Sequence, residues 1–203
     1  MSSLVTQPHS LVDVLLPRQQ RSWLLDTGLV VLFSAFVGLT AQVEIPLWPV
    51  PLTLQTLGVF FTGAVLGGRR GALTLLLYLA EGAVGLPVFA GGASGVVYML
   101  GSTGGYLVGF VFAAGVVGLL AERGWDRRLV WTMLAMAVGN LVVYAFGVAW
   151  LAILLSNLGT ALVQGMLIFI PGDLLKIAFG ALALPGGWAL ARRRRARRRF
   201  EEQ

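Results

Sequence analysis

The stretch LAILLSNLGTALVQGMLIFIPGDLLKIAFGALALPGGWAL, from Leu151 to Leu190, is too long for one membrane crossing, and where it divides decides the fold. About 20 apolar residues span a hydrocarbon core of roughly 30 Å. Pro171 makes the division, because proline suits the first position of a helix and disrupts later ones. The last span is therefore expected over residues 171–190. Trp150 to Ile170 becomes a connection with room for a short interfacial or re-entrant helix, and Pro185 with Gly186 and Gly187 is expected to bend the far end. This division puts Asp173 near a helix start and Lys176 one turn below, on the same face at spacing i, i+3. Lys176 is the only lysine in the chain. An acid or a base in a membrane segment costs roughly 2.5–3.5 kcal/mol each on insertion scales, and residues kept at that cost read as functional. A helix N-terminus has unpaired N–H groups and a positive dipole end. An ammonium beside it suits a carboxylate, while Asp173 offers acceptors to N–H donors. The alternative is a self-neutralising ion pair without a ligand.

Composition supports a membrane setting. Of 203 residues, 57% are hydrophobic and 12% charged, with mean hydropathy +0.83; a soluble domain carries about 25% charged residues. No stretch is long and polar enough for a separate soluble domain, so residues 1–203 read as one membrane domain. The absence of cysteine excludes disulfides, thiol catalysis and thiolate metal sites. The single histidine, His9, leaves no material for a histidine metal site or triad. The net charge of +6 follows topology rather than nucleic acid. Arg18 and Arg21 precede the first apolar run, Arg69 and Arg70 follow the second, Arg123, Arg127 and Arg128 follow the fourth, and arginines crowd the 191–203 tail. Alternate loops are thus basic, the positive-inside pattern, with both termini cytoplasmic and an even number of spans. The tail reads as an anchor to lipid headgroups in the bilayer.

The fold class expected is an all-α integral membrane protein with six transmembrane helices, near 24–41, 52–67, 71–85, 104–121, 129–149 and 171–190. The first is read as a retained span rather than a signal peptide. Three intervening segments, Gln42 to Pro51, Leu86 to Thr103 and Trp150 to Ile170, carry no charge except Glu44. They are better lids than solvent-facing linkers. Pro46, Pro49 and Pro51 make the first of them stiff and extended. Leu11 to Leu16 forms a short apolar patch suited to the inner surface. No internal repeat marks an inverted pair of broken helices.

Gly101, Gly105, Gly109 and Ala113 form a small-residue stripe that lets backbones approach. Tyr98 and Tyr106 read as interfacial anchors. Glu81 and Asn140 lie in apolar spans, where one internal hydrogen bond would satisfy each. There is no G-x-x-x-x-G-K-[ST] loop, so the chain cannot itself couple transport to ATP hydrolysis. No catalytic constellation is present.

Four motifs in series are Ile45-Pro-Leu-Trp-Pro-Val-Pro-Leu-Thr-Leu-Gln-Thr-Leu-Gly58, Tyr78-Leu with Gly85-Leu-Pro-Val-Phe89, Gly101-Ser-Thr-Gly-Gly-Tyr-Leu-Val-Gly-Phe110 and Gly172-Asp-Leu-Leu-Lys176. Their order and spacing over about residues 24–180 resemble the BioY family, the biotin-specific substrate-binding (S) components of energy-coupling-factor (ECF) transporters. The resemblance implies biotin capture at the outer face of a prokaryotic plasma membrane, and no enzymatic activity. It implies no cofactor, metal or nucleic acid. It also implies a transmembrane coupling subunit and two ATP-binding-cassette ATPases as partners. Delivery would come by tipping in the membrane, with docking through small residues of the first span, here Ser34, Ala35, Gly38 and Ala41. The family pattern there is alanine-rich, and Ser34 and Gly38 depart from it. Asp173 and Lys176 match the family's polar pair, and Gly91, Gly104, Gly105 and Tyr106 match its ligand-contacting loop and helix start. Thr53, Gln55 and Phe89 are expected to close or line the pocket. This chain departs from the family at Ser102, where proline is usual, near Gly91, where an amide is usual, and at Glu81, where the family is apolar. Other readings are an S component for another vitamin, a solitary facilitator, an intramembrane enzyme using Asp173 with Glu81 or Lys176, and an inert scaffold.

Overall fold

A computed structural model describes residues 10–16 and 22–201, with side chains to Ala191. His9, Arg18, Arg21 and the side chains of the arginine tail lie outside the described residues. The helices are α1 (Leu11–Leu15), α2 (Trp23–Ala41), α3 (Gln55–Leu66), α4 (Gly68–Ala83), α5 (Gly95–Met99), α6 (Gly104–Glu122), α7 (Leu129–Leu155), α8 (Leu158–Gly165) and α9 (Ile170–Glu201). The only sheet among the described residues is a two-residue antiparallel hairpin, β1 (Glu44–Ile45) with β2 (Leu52–Thr53), in register Glu44↔Thr53 and Ile45↔Leu52. Three prolines between the strands leave few N–H donors, which keeps the ladder short.

Among the described residues, four helical stretches are long and apolar enough to cross a membrane by length and composition: Trp23–Ala41, Gly104–Glu122, Leu129–Leu155 and Leu158–Ala191. The second and third expected spans are shorter than a bilayer core. The hairpin takes Leu52 and Thr53, leaving α3 12 residues, or about 18 Å. Helix α4 begins at Gly68 and has 16 residues. The fifth span runs on to Leu155, six residues past the expected end, because nothing in Trp150 to Leu155 stops a helix; Ser156, with φ 51°, does. The connection before α9 holds α8 and a 3₁₀ turn, Leu167–Phe169. Helix α9 starts at Ile170, beside the predicted Pro171, but continues through Pro185 instead of ending near Leu190.

Helix α6 is the centre, packed against α7, α3 and α4. Its small residues make that possible. A Cβ on Gly105 would meet the Trp150 Cβ at 2.3 Å, and one on Gly118 would meet the Gly68 backbone at 2.4 Å. On the facing helix a Cβ on Gly63 would lie 2.3 Å from the Ala114 carbonyl. The bundle is apolar outside as well as inside: Leu32, Leu73, Leu141, Leu175, Phe179 and Leu182 are all exposed. A continuous apolar exterior suits lipid rather than water, and the chain is a membrane protein.

The arginine-bearing end is tied by charge. Arg70 bridges Asp13 of α1 at 3.4 Å and Asp26 of α2 at 3.3 Å. Helix α1 packs on α3 and α9, rather than lying apart from the bundle. In the 3₁₀ turn Trp125–Arg127, Asp126 accepts from Trp188 Nε1 of α9, and the Arg127 guanidinium lies 4.4 Å from the Trp188 ring centre. Asp126 is buried and its Oδ1 has no hydrogen-bond partner among the described residues. Burial pushes its carboxyl up to about 6, against the lowering effects of the Trp188 hydrogen bond and Arg127.

Two outcomes follow. Gly63→Val should destabilise the protein by about 1–3 kcal/mol through overpacking, whereas Gly28→Ala, inside α2 with nothing within 4 Å of its Cβ, should cost nothing and gain up to about 1 kcal/mol of helix propensity; thermal unfolding in detergent reads both. Between about pH 4 and pH 6 the folded state keeps a proton on Asp126 that the unfolded state releases. Stability should therefore fall as pH rises through that window, by up to about 3 kcal/mol. Asp126→Asn should flatten this dependence in melting curves recorded across the same pH range.

Candidate ligand pocket

At the hairpin end, α3, α6, α7 and α9 diverge around a cleft of about 550 Å³, its open mouth included. Val50 to Thr53 of the hairpin, Ala90 and Tyr98 form the cap side. Thr56, Tyr106, Phe110, Tyr144 and Phe169 form the walls, with Asp173 and Lys176 among them.

The first turns of α9 place Asp173 and Lys176 side by side. Lys176 Nζ donates to Asp173 Oδ1 at 3.0 Å and to Thr56 Oγ1 of α3 at 3.0 Å. Tyr144 of α7 donates its hydroxyl to the other oxygen, Asp173 Oδ2. Both charged residues are buried, at 5% and 9% exposure. An ammonium has three N–H donors and a carboxylate about four acceptor positions. The described contacts use two donors and two acceptor positions, so the pair keeps one N–H and about two lone pairs for a ligand. It is neutral as a whole, yet it presents a cationic donor and an anionic acceptor on one wall.

Of the residues singled out from sequence, Thr53, Gln55, Tyr106, Asp173 and Lys176 line this cleft together. Tyr106 donates to the Gly165 carbonyl at 2.8 Å, which fixes its ring in the wall. The others stand behind it. Phe89 is fully buried, stacked on Tyr98 with ring centres 5.3 Å apart. Gly91, with φ 64°, is next to the lining residue Ala90, and the Glu44 carboxylate sits against it. Gly104 and Gly105 face the Met99 carbonyl and Trp150 rather than the cleft. Ser102, where the motif departs from its usual proline, donates its hydroxyl to the Pro49 carbonyl and joins the two capping segments. Tyr98, in the second of these, is buried enough that its phenol is pushed above the usual tyrosine range and stays a neutral donor at neutral pH.

Thr56 and Tyr144 carry functional geometry that the sequence reading missed. Thr56 follows Gln55 in the hairpin motif. Tyr144 lies one helical turn from Asn140 in an otherwise apolar run. Polar residues at that spacing in an apolar helix were the available signal.

The small residues of α2 mostly face inward. Ser34, Gly38 and Ala41 point into the chain: Ser34 donates to the Glu81 carboxylate, Gly38 abuts Val88, and Ala41 is fully buried. Of the four expected docking residues only Ala35 is exposed, on a face with Gly28, Val31, Leu32 and Leu39. The same contact accounts for Glu81, whose carboxylate has its partner in Ser34.

A family model described as BioY family matches residues 16–193. The biotin transporter BioY of Rhizobium etli is 40% identical over 167 residues, covering 77% of this chain and 89% of that protein. The biotin transporter BioY of Thermotoga maritima is 39% identical over 151 residues, covering 74% and 88%. Among solved structures, the S-component for biotin from an ECF-type ABC transporter, a crystal structure at 2.1 Å, superposes with a TM-score of 0.71 at 26% identity, covering 85% of this chain and 92% of that one.

Removing one member of a buried pair strands the other at a cost of about 3–5 kcal/mol, whereas neutralising both is often nearly free. Lys176→Met should therefore lower thermal stability sharply, and Lys176→Met combined with Asp173→Asn should recover most of it. Equal losses in the single and double variants would contradict the pairing.

Proposed function

The chain belongs to the BioY family, and from that premise and the Lys176–Asp173 cleft we propose that it is the biotin-capturing S component of an ECF transporter. It binds its substrate without cofactor or chemistry, as a carrier component rather than an enzyme. In this reading α2, α3, α4, α6, α7 and α9 are the six transmembrane helices, with the short α3 and α4 crossing where the bilayer thins locally. The arginine-bearing end and both termini lie in the cytoplasm of a prokaryotic cell, and the hairpin end faces outward across the plasma membrane. A transmembrane coupling subunit and two ATPases supply the energy. Their contact on α2 runs through Ala35 and its exposed neighbours Gly28, Val31, Leu32 and Leu39, the inward Ser34, Gly38 and Ala41 being excluded.

The observation that carries the reading is a buried ammonium and carboxylate that share one hydrogen bond and still have capacity to spare. Biotin presents a carboxylate, a ureido carbonyl and ureido N–H groups. The remaining Lys176 N–H meets the carboxylate or the ureido carbonyl, and a free lone pair of Asp173 accepts a ureido N–H. Thr53, Gln55 and Tyr106 complete the wall. Phe89, Gly91, Gly104 and Gly105 act at one remove, holding Ala90, Tyr98 and Thr103 in place.

Purified protein should bind biotin at equilibrium. Lys176→Ala and Asp173→Asn should each weaken binding by about 30-fold or more, the scale for breaking a buried charged contact. Unchanged affinity in both variants would sink the assignment. Thermal-shift screening against other vitamins checks substrate identity, and uptake in cells lacking the ATPase module checks the need for partners.

A further inference from the structure

One buried side chain touches neither the cleft nor the bilayer, yet joins a wall of the cleft to part of its cap. Tyr78 of α4 is fully buried. Its hydroxyl accepts from Gln55 Nε2 at 2.6 Å and donates to the Val88 carbonyl at 2.9 Å. Gln55 lines the cleft and is itself set by Thr53, whose hydroxyl accepts from the Gln55 N–H at 3.2 Å. On the other side, Val88 opens the segment that returns to the cleft at Ala90 and Tyr98. The Tyr78 ring packs edge-on against Phe89 with centres 5.5 Å apart, and Phe89 stacks on Tyr98. Gly82, one turn on from Tyr78, leaves room for the Phe89 ring: a Cβ there would fall 2.0 Å from it. A second clamp holds the same segment, because Gln42 Nε2 donates to the Phe89 carbonyl and Gln42 Oε1 accepts from the Gly92 N–H, both at 3.0 Å.

We infer that Tyr78 is a positioning residue, which sets Gln55 on one wall and the Val88–Tyr98 cap on the other through a single shared hydroxyl. Two features make the hydroxyl more than packing. It is donor and acceptor at once, so the Gln55 bond polarises the O–H that holds Val88, and linked hydrogen bonds of this kind reinforce one another in a low-dielectric interior. It is also the direct polar link between the α3 wall and the second capping segment. A ligand that draws Gln55 toward itself therefore changes the hold on the cap, although it never touches Tyr78. The affinity consequence rests on the biotin reading; the positioning role does not.

Tyr78→Phe keeps the ring and its two aromatic contacts and removes only the shared oxygen. In ligand-free protein, hydrogen exchange at the Phe89, Gly92 and Ala93 amides, all held within this segment, should quicken by about tenfold, while the amides of α6 stay as slow as in the parent. Biotin should bind about tenfold more weakly, the scale for one lost buried hydrogen bond. The loss should fall mainly in a faster dissociation rate. Leu75→Val, a packing change on the same helix at a fully buried position, controls for simple destabilisation: it should lower the melting temperature without selective quickening in the cap. Cap exchange within twofold of the parent in Tyr78→Phe overturns the inference, as does equal quickening in Leu75→Val. A parent protein that shows no biotin binding counts against the biotin reading alone, because the exchange measurement needs no ligand.

Discussion

An ammonium and a carboxylate lie 3.0 Å apart with about a tenth or less of each side chain exposed, and the hairpin end of the molecule is built around keeping them there. Lys176 and Asp173 belong to α9. The hydroxyls that complete their shell come from α3, through Thr56, and α7, through Tyr144. A buried pair is stable only when such additional hydrogen bonds offset its lost hydration. Three helices must therefore meet at one point: α9 packs directly on α7 and α3, while Gly105 and Gly109 of α6 admit α7 and Gly63 of α3 admits α6. The packing stripe and the polar pair are two parts of one construction.

The strongest local signals in the sequence led to the correct elements. Pro171 marked the start of α9 to within one residue, and with it the shared face of Asp173 and Lys176. Gly104 marked the start of α6. These are backbone effects, local to the residue that causes them. Lengths were less legible. The hairpin took two residues that an apolar window assigns to a span, and α7 ran on through Trp150 to Leu155 because no glycine or proline stops it. Pro185 lies inside a helix held on both sides by tertiary contacts, so its local preference is overruled.

Facing was the least legible property. Ser34, Gly38 and Ala41 have the composition of an outward docking face but are packed inside, since a small residue permits close approach without saying to what. The partners of the polar pair were hidden for the same reason. Thr56 is 120 residues from Lys176, and Tyr144 is 29 residues from Asp173. Only the assembled bundle brings them together. The family resemblance pointed to the pair and its loop, but it did not say which neighbours touch the cleft and which stand behind it.

The neutrality of the Lys176–Asp173 pair has a further consequence, for the electrical work of moving the site. Empty, the cleft holds one positive and one negative charge and carries no net charge into apolar surroundings. An anionic ligand leaves it with one net negative charge, and an uncompensated ion in a low-dielectric medium costs several kcal/mol even after relaxation. The loaded and empty forms therefore differ in the penalty for turning the cleft away from water. Any movement of the cleft into apolar surroundings would cost less empty than loaded, and a counter-charge met on the far side would relieve the loaded form most.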